Sequence, residues 1–288
     1  MALIDEIKEQ SDSVRQGGRK AWIKWFWSYY KIHVFAVLGG IILISVMIHD
    51  VVTQKDTVFG ITLLNIETTE GAPIQSALED ELDQLLGVNP KKEEVRLDIS
   101  EFVSPGVIAS EQEMIAQQKI MALFAAAEID LFAADPWNFT SYAFSGMFLD
   151  LRDCLPAETL AKLEPWLFYV DGERIAMKEA DDGIYTDGEG IPWQTGTILE
   201  YSDTAEIRKM CLKENYSAPD PSEMKNPIPV GIMISEAPYF SGVGFYNYTS
   251  TVIGVAGSSK RVEHVDEVIN YLWDQSGMPQ DPVAESGS

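Results

Sequence analysis

Hydrophobic residues follow three different patterns along this chain. Residues 34–48 form an apolar run of 15 residues without a charge. After it, short runs rich in β-branched residues alternate with segments in which apolar residues recur every three or four positions. A long uncharged run is typical of a membrane helix, a short apolar run of a buried strand, and the periodic spacing of an amphipathic helix. The pattern therefore predicts one membrane segment followed by a body of alternating strands and helices.

The first half of that body alternates with particular regularity. Gly87 is expected to end the first periodic segment, and Ser110 with Glu113 three residues later has the spacing of a helix N-cap. The predicted strands are 57–66, 93–102 and 129–135, and the predicted helices are 72–87, 110–128 and a short one that ends near Gly146. A β-α-β-α-β-α order predicts a mainly parallel sheet with helices on its faces. In such sheets ligands bind beyond the carboxyl ends of the strands, here residues 65–69 and 134–138.

The second half is less regular. Residues 168–201 are dense in turn dipeptides and are expected to hold short hairpins, and a Pro-rich connection follows. Residues 229–237 and 250–258 each resemble a further buried strand, and residues 262–273 have the spacing of an amphipathic helix. The polar tail of residues 275–288 is predicted to be disordered.

The apolar run has the flanks of a membrane anchor. Trp and Tyr alternate with Lys in residues 22–31, which suits the headgroup layer, and residues 25–49 are long enough to cross the bilayer. A cleaved signal peptide is the first alternative, although residues 45–54 do not resemble a cleavage site, and a buried core helix is the second. The positive-inside rule places residues 1–24 in the cytoplasm and the body outside the cell. Six basic residues precede the run: Lys8, Arg15, Arg19, Lys20, Lys24 and Lys31.

The net charge of the chain limits the kinds of partner that it can bind. Lys and Arg total 21 against 45 Asp and Glu, a net charge of −24. Six of those bases and four of those acids precede residue 50, so the predicted outer body carries 15 bases and 41 acids, a net charge of −26. A surface this acidic repels phosphate backbones, which argues against nucleic acid as a partner. Solubility beside an anionic membrane or wall, or attraction of cationic ligands, would each account for it.

Little in the sequence points to catalysis. No nucleotide-binding loop, nucleophile elbow or zinc-protease helix occurs, and three scattered histidines do not make a metal site. The acidic stretch 181–190 lacks the ligand spacing of a calcium-binding loop and is interpreted as an ordinary turn. Whether Cys154 and Cys211 form a disulfide is left open by their positions. The sequence therefore predicts no enzyme, no cofactor and no metal.

Three segments carry a family resemblance. In residues 127–156 a predicted strand that ends in Asp is followed by a helix and then by Gly146-Met147-Phe148-Leu149-Asp150-Leu151. This segment is similar to an element of extracellular solute-binding proteins with the type 2 periplasmic-binding fold. Residues 190–196 (GIPWQTG) resemble the entry to the hinge of that family. Residues 229–255 resemble the strand, loop and strand before its last helix. The chain departs from the family in its small body and in its helical rather than lipid anchor.

The resemblance implies an α/β protein in which an N-terminal transmembrane helix precedes a two-lobed body with a mainly parallel sheet. The expected body covers residues 50–274, with a second lobe over roughly 155–250 and a hinge near 190–200. The expected function is capture of a small ligand between the lobes without chemistry. The alternative is a structural or sensory interaction protein that uses the same fold without ligand transport.

The predicted ligand-binding residues lie at strand ends and in the expected hinge. The two tryptophans are candidates because an aromatic plane can stack on a sugar or a cation. The polar residues are candidates because they can bind amines or hydroxyls. Packing in the core is the alternative role for both tryptophans, and helix capping for Asp135. The expected partners are the bilayer through residues 25–49, a small molecule, and a transporter or other membrane protein. The predicted site residues are Glu67, Thr68, Asp135, Trp137, Trp193, Thr195 and Glu236.

Overall fold

The computed structural model describes residues 18–53, 55–68, 71–106, 110–173, 175, 204–235 and 237–273. The chain divides into two units, Met1–Lys55 and Asp56–Ser288. The predicted tail 275–288 and most of the predicted hairpin region 168–201 lie outside the described residues.

The described part of the first unit is one long helix, α1 (Arg19–Thr53). Within it, Tyr30–Met47 is long and apolar enough to cross a membrane, by length and composition, and none of that window is buried. The predicted apolar helix is therefore confirmed. Its place in a membrane stays a prediction, because a signal sequence near an N-terminus shares these features. Trp22, Phe26 and Tyr30 stack at intervals of four residues, with ring centroids 5.4 and 5.1 Å apart.

The second unit is a mixed α/β body around one six-stranded sheet. Its strands are β1 (Asp56–Leu63), β2 (Glu93–Asp98), β3 (Leu131–Ala134), β4 (Leu167–Asp171), β5 (Pro227–Met233) and β6 (Val252–Val255). Its helices are α2 (Gly71–Leu85), α3 (Glu111–Ala125), α4 (Pro136–Phe144), α5 (Leu151–Cys154), α6 (Ala157–Leu163), α7 (Thr204–Met210), α8 (Pro238–Val243) and α9 (Val265–Trp273). Three short 3-10 turns cover Glu164–Trp166, Pro221–Glu223 and Val262–His264.

The sheet has the order β2-β1-β3-β6-β5-β4. The parallel prediction is confirmed for β2, β1 and β3, which are the strands of the predicted β-α-β-α-β region. The other half, for which the sequence predicts strands but no direction, is antiparallel: β6 runs antiparallel to β3 and β5, and β4 antiparallel to β5. A buried strand has the same apolar pattern in either direction, so direction was not readable from the sequence.

The described parts of residues 155–250 add β4 and β5 to this same sheet. A separate second lobe over that range therefore stays a prediction, and the expected hinge near 190–200 lies outside the described residues. The coarser expectation of an apolar helix followed along the chain by an α/β body is confirmed.

Helices cover both faces of the sheet. On one face, α2, α8 and α9 pack against Phe59, Ile61 and Leu63 of β1. On the other, α3 and α4 pack against Phe132 and Ala134 of β3. Because successive side chains of a strand point to opposite faces, each central strand contributes to both cores.

Glycines in two neighbouring strands allow an aromatic ring to lie directly on the sheet. A Cβ atom at Gly231 or Gly254 would come within 2.7 or 2.8 Å of Cζ of Phe139. Phe139 is fully buried there and stacks on Phe148 with ring centroids 4.3 Å apart. The two glycines therefore fix how closely α4 approaches the sheet.

Side chains of α2 cover the outer edge of β2. Asp83 accepts the Val95 N–H at 2.7 Å and Glu79 accepts the Leu97 N–H at 2.9 Å, while Gln75 donates to the Leu97 carbonyl at 2.6 Å. These three side chains are spaced four residues apart and so lie on one face of the helix. They satisfy an edge that would otherwise offer unpaired groups to another strand.

A buried ion pair ties the segment before α9 to the start of the parallel strands. Asp130 is fully buried and accepts bonds from Arg261 Nε at 2.7 Å, from the Ser259 hydroxyl at 2.6 Å and from the Gly60 N–H at 2.6 Å. Arg261 also donates to the Ala127 carbonyl at 2.9 Å. The carboxylate thus accepts three hydrogen bonds, one of them from its charge partner Arg261.

Candidate functional site

The parallel half of the sheet contains a topological switch point. The chain passes from β1 to β2 through α2 on one face, and from β2 to β3 through α3 on the other face. The chain leaves β1 through α2 on one face and leaves the neighbouring β3 through α4 on the other face, so these two connections diverge at the carboxyl ends of β1 and β3. This is where ligands bind in open α/β sheets. Asn65 follows β1 and Asp135 follows β3 at this point.

Asp135 is the centre of a buried polar cluster. It is 2% exposed and caps α4 by accepting the Trp137 and Asn138 N–H groups, both at 3.1 Å. Its second carboxylate oxygen accepts from the amides of Asn138 at 2.7 Å and Asn65 at 3.1 Å. Burial raises the pKa of Asp135, and the bonds from Asn138, Asn65 and Trp137 oppose that rise. The capping role considered from the sequence is confirmed.

Asn65 joins the cluster to the loop after β2. It has a positive φ of 58°, which asparagine adopts more readily than most residues. Its amide donates to the Val103 carbonyl at 2.7 Å and accepts the Val103 N–H at 2.8 Å. Asn138 donates to the same carbonyl at 2.9 Å. The carboxyl ends of β1 and β3 and the loop after β2 are therefore held together by side-chain amides.

The segment of α7 and Cys211 lies over this cluster. Ile207 and Cys211 pack against Trp137, and the Cys211 thiol donates to Asp135 at 3.8 Å. Arg208 donates to the Ser104 hydroxyl at 2.6 Å, and Ser104 in turn donates to the buried Glu113 at 2.5 Å. Side chains of α7, the loop after β2 and α3 thus form one connected layer above the switch point.

Both cysteines are free thiols. Burial raises the pKa of Cys154 to about 12, and burial together with Asp135 raises the pKa of Cys211 further. A thiol of high pKa is a poor nucleophile at neutral pH, because the thiolate is the reactive form. The two cysteines therefore do not form a disulfide in this structure.

The other predicted site residues at the end of β1 lie to one side of the cluster. The carboxylate of Glu67 accepts the N–H groups of Asn247, Tyr248 and Thr249 at 2.6, 2.7 and 2.9 Å. Three successive N–H groups form a nest for an anion, and Glu67 fills it. Thr68 is half-buried beside it. Glu67 therefore ties the loop before β6 to the end of β1.

The structure brings together only some of the predicted residues. Asp135 and Trp137 meet at the switch point, but Trp137 is 5% exposed and packs against α7. Trp193, Thr195 and Glu236 lie outside the described residues, as does the acidic stretch 181–190. The sequence interpretation missed Asn65, Asn138 and Cys211. Asn65 lies at the carboxyl end of the predicted strand 57–66, which is a usable signal, whereas nothing local marks Cys211.

The described residues hold no group of three or more His, Cys, Asp or Glu placed to bind a metal ion. His264 lies in the 3-10 turn before α9, with its ring edge-on to Phe59 at 6.4 Å. A scan against protein-family models finds no matching family, and searches of curated proteins and of solved structures find no match either.

Proposed function

We propose that this chain is a membrane-anchored interaction protein whose α/β body lies outside the cell and performs no chemistry. The observation that supports the proposal is that the chain's own residues fill the switch point. Asp135 accepts five bonds from its own chain, and Trp137 is buried beneath α7. A crevice filled in this way supports a fold that acts through its surface rather than through a bound solute.

The anchor rests on α1 and its flanks. The apolar window Tyr30–Met47 is preceded by a basic and aromatic stretch, whereas the residues that follow it are acidic overall. The positive-inside rule favours a cytoplasmic N-terminus for such a helix, and the acidity of the body suits the outer side of the membrane.

We expect protease added to intact cells or protoplasts to digest the body and to leave a fragment that contains α1. The reason is that a signal-anchor helix of this orientation exposes everything after about residue 50. A tag at the N-terminus should stay protected until the membrane is permeabilised, which provides the internal control. Protection of the body in intact cells, or a mature N-terminus near residue 50, would contradict the anchor.

Ligand capture in a cleft of the solute-binding type is the second candidate. The convergence of Asn65, Asp135 and Asn138 at the switch point favours it, because carboxylate and amide groups there could bind a hydroxyl or an amine. The predicted stacking partner Trp193 and the neighbouring Thr195 would act from the other side of that cleft. Capture would require the segment of α7 and Cys211 to move away from Asp135.

Thermal unfolding with a panel of sugars, amino acids, short peptides and divalent metals separates the two candidates. An interaction protein with a filled crevice should melt at an unchanged temperature with every member of the panel. A captured ligand at a hundredfold its Kd would stabilise the native state by about 2.7 kcal/mol, a rise of roughly 5–10 °C for a body of this size. Asp135→Asn retains a capping residue but loses the charge, so a rise that this variant abolishes would establish capture at the switch point.

A further inference from the structure

Helix α3 has apolar side chains on two opposite faces. One face packs into the core through Ala116, Ile120 and Phe124. On the opposite side Met114, Ile115 and Met121 are 51, 58 and 40% exposed. A surface helix ordinarily has one apolar face and one polar face. The second apolar face of α3 is therefore not required by the fold.

These exposed residues form a continuous surface. At about 100° per residue, they fall within an arc of roughly 120° together with Ala122 and Ala125, and this arc is the outer face of α3. The only polar residues within the arc are Glu111 and Gln118. Over the 15 residues of the helix the face extends for about 22 Å.

A further exposed apolar side chain, Phe102, belongs to a loop that bonds to α3. It is 58% exposed in the loop after β2, where its neighbour Glu101 bonds to Lys119 and Ser104 bonds to Glu113 of the same helix. Across the described residues after Lys55, five large apolar side chains are exposed, and Tyr248 is the only one away from this region. Apolar patches of this kind mark interaction sites in soluble bodies. Methionine suits such a site because its flexible side chain adapts to a partner.

The only charged residue within the outer face of α3 is acidic. Glu111 lies within the arc, and Glu128 follows the helix. Lys119 bonds to Asp98 at 2.8 Å and to Glu101, so its charge is already compensated. The whole body carries 26 more acidic than basic residues. A second acidic copy, or an anionic lipid surface, would be repelled here, whereas a cationic partner would be attracted.

We propose that the outer face of α3 binds a basic amphipathic helix of another protein. Apolar side chains at i, i+4 and i+7 of the partner would pack on Met114 and Met121, and flanking Lys or Arg would face Glu111. The inference rests on the proposed interaction function and specifies the surface and the chemical class of the partner.

The test uses the full chain in phosphatidylcholine nanodiscs and a fluorescent helix of about 18 residues made only of Leu and Lys. Fluorescence anisotropy should show binding that weakens with salt. The double variant Met114→Gln/Met121→Gln should bind about tenfold more weakly, because it loses the apolar contact at surface positions that do not disturb the core. Tyr248→Gln removes an equally exposed apolar side chain elsewhere and should bind like the natural chain.

A helix of Leu and Glu with the same pattern should not bind. In peroxide footprinting, Met114 and Met121 should oxidise in the free chain and be protected by the Leu and Lys helix. Protection of both methionines without the peptide would overturn the proposal, since the face would then be covered already. So would binding that is equal in the double variant, binding of the Leu and Glu helix, or self-association of the chain that the double variant abolishes.

Failure of this proposal is distinguishable from failure of the proposed function. If the cationic helix does not bind and the ligand panel leaves the melting temperature unchanged, the partner class is wrong and the interaction function stands. If a solute raises the melting temperature and Asp135→Asn abolishes that rise, the interaction function is wrong, whatever the peptide result.

Discussion

Replacing Asp130 by alanine is expected to lower the free energy of unfolding of the body by about 3–5 kcal/mol. The substitution leaves Arg261, whose side chain is 21% exposed, without its charge partner. It also removes the acceptor for the Gly60 N–H and the Ser259 hydroxyl. A loss of this size corresponds to a fall of roughly 10 °C in melting temperature for a body of this length.

A double-mutant cycle with Arg261→Ala shows whether the pair itself is responsible. Because both side chains belong to one network, the double variant should be less destabilised than the sum of the single variants. Lys225→Ala breaks an ion pair with Glu173 in which both side chains are well exposed, and it should leave the melting temperature almost unchanged. Equal effects of Asp130→Ala and Lys225→Ala on urea unfolding would contradict the importance of burial for this pair.

The sequence predicted the parallel half of the sheet well because its signals are local. The turn at Gly87 has a positive φ of 64°, and the Ser110 hydroxyl accepts the Glu113 N–H, as the spacing of these residues predicted. Strand directions in the other half depend on which strands become neighbours, and that is set by distant packing. A residue such as Val252 looks the same in a parallel and in an antiparallel strand.

Only part of the candidate site could be predicted from the sequence, for a similar reason. The rule for carboxyl ends correctly placed Asp135 at the same edge of the sheet as the end of β1, because the carboxyl ends of parallel strands lie at one edge. It could not indicate that Trp137 turns inwards, since Ile207 and Cys211, which bury it, lie some 70 residues further along the chain. The sequence predicts that Glu67 faces a ligand, but in the structure its carboxylate accepts the N–H groups of residues 247–249. Contacts at such separation leave no mark in the local pattern.

Trp137→Ala is expected to destabilise the body by about 3–5 kcal/mol, because the ring is 5% exposed and fills a small apolar cluster with Ile207 and Cys211. Loss of the ring should also loosen the segment of α7 and Cys211 above Asp135. The Cys211 thiol should then react faster with a maleimide in native buffer, whereas the rate at Cys154, which lies in α5, should not change. Urea unfolding and labelling at single cysteines measure the two effects separately.

Trp193→Ala is the variant with which Trp137→Ala should be compared. If Trp193 acts as a stacking residue in a cleft, its loss should weaken the binding of any solute found in the panel by roughly tenfold, since an aromatic contact and its buried area together are worth about 1.4 kcal/mol. Its effect on unfolding should then be smaller than that of Trp137→Ala. Trp137→Ala should not weaken the affinity for such a solute, because its ring packs against the chain's own residues. A weakened affinity with an unchanged free energy of unfolding in Trp137→Ala would show instead that this ring faces a ligand and that α7 opens to admit it.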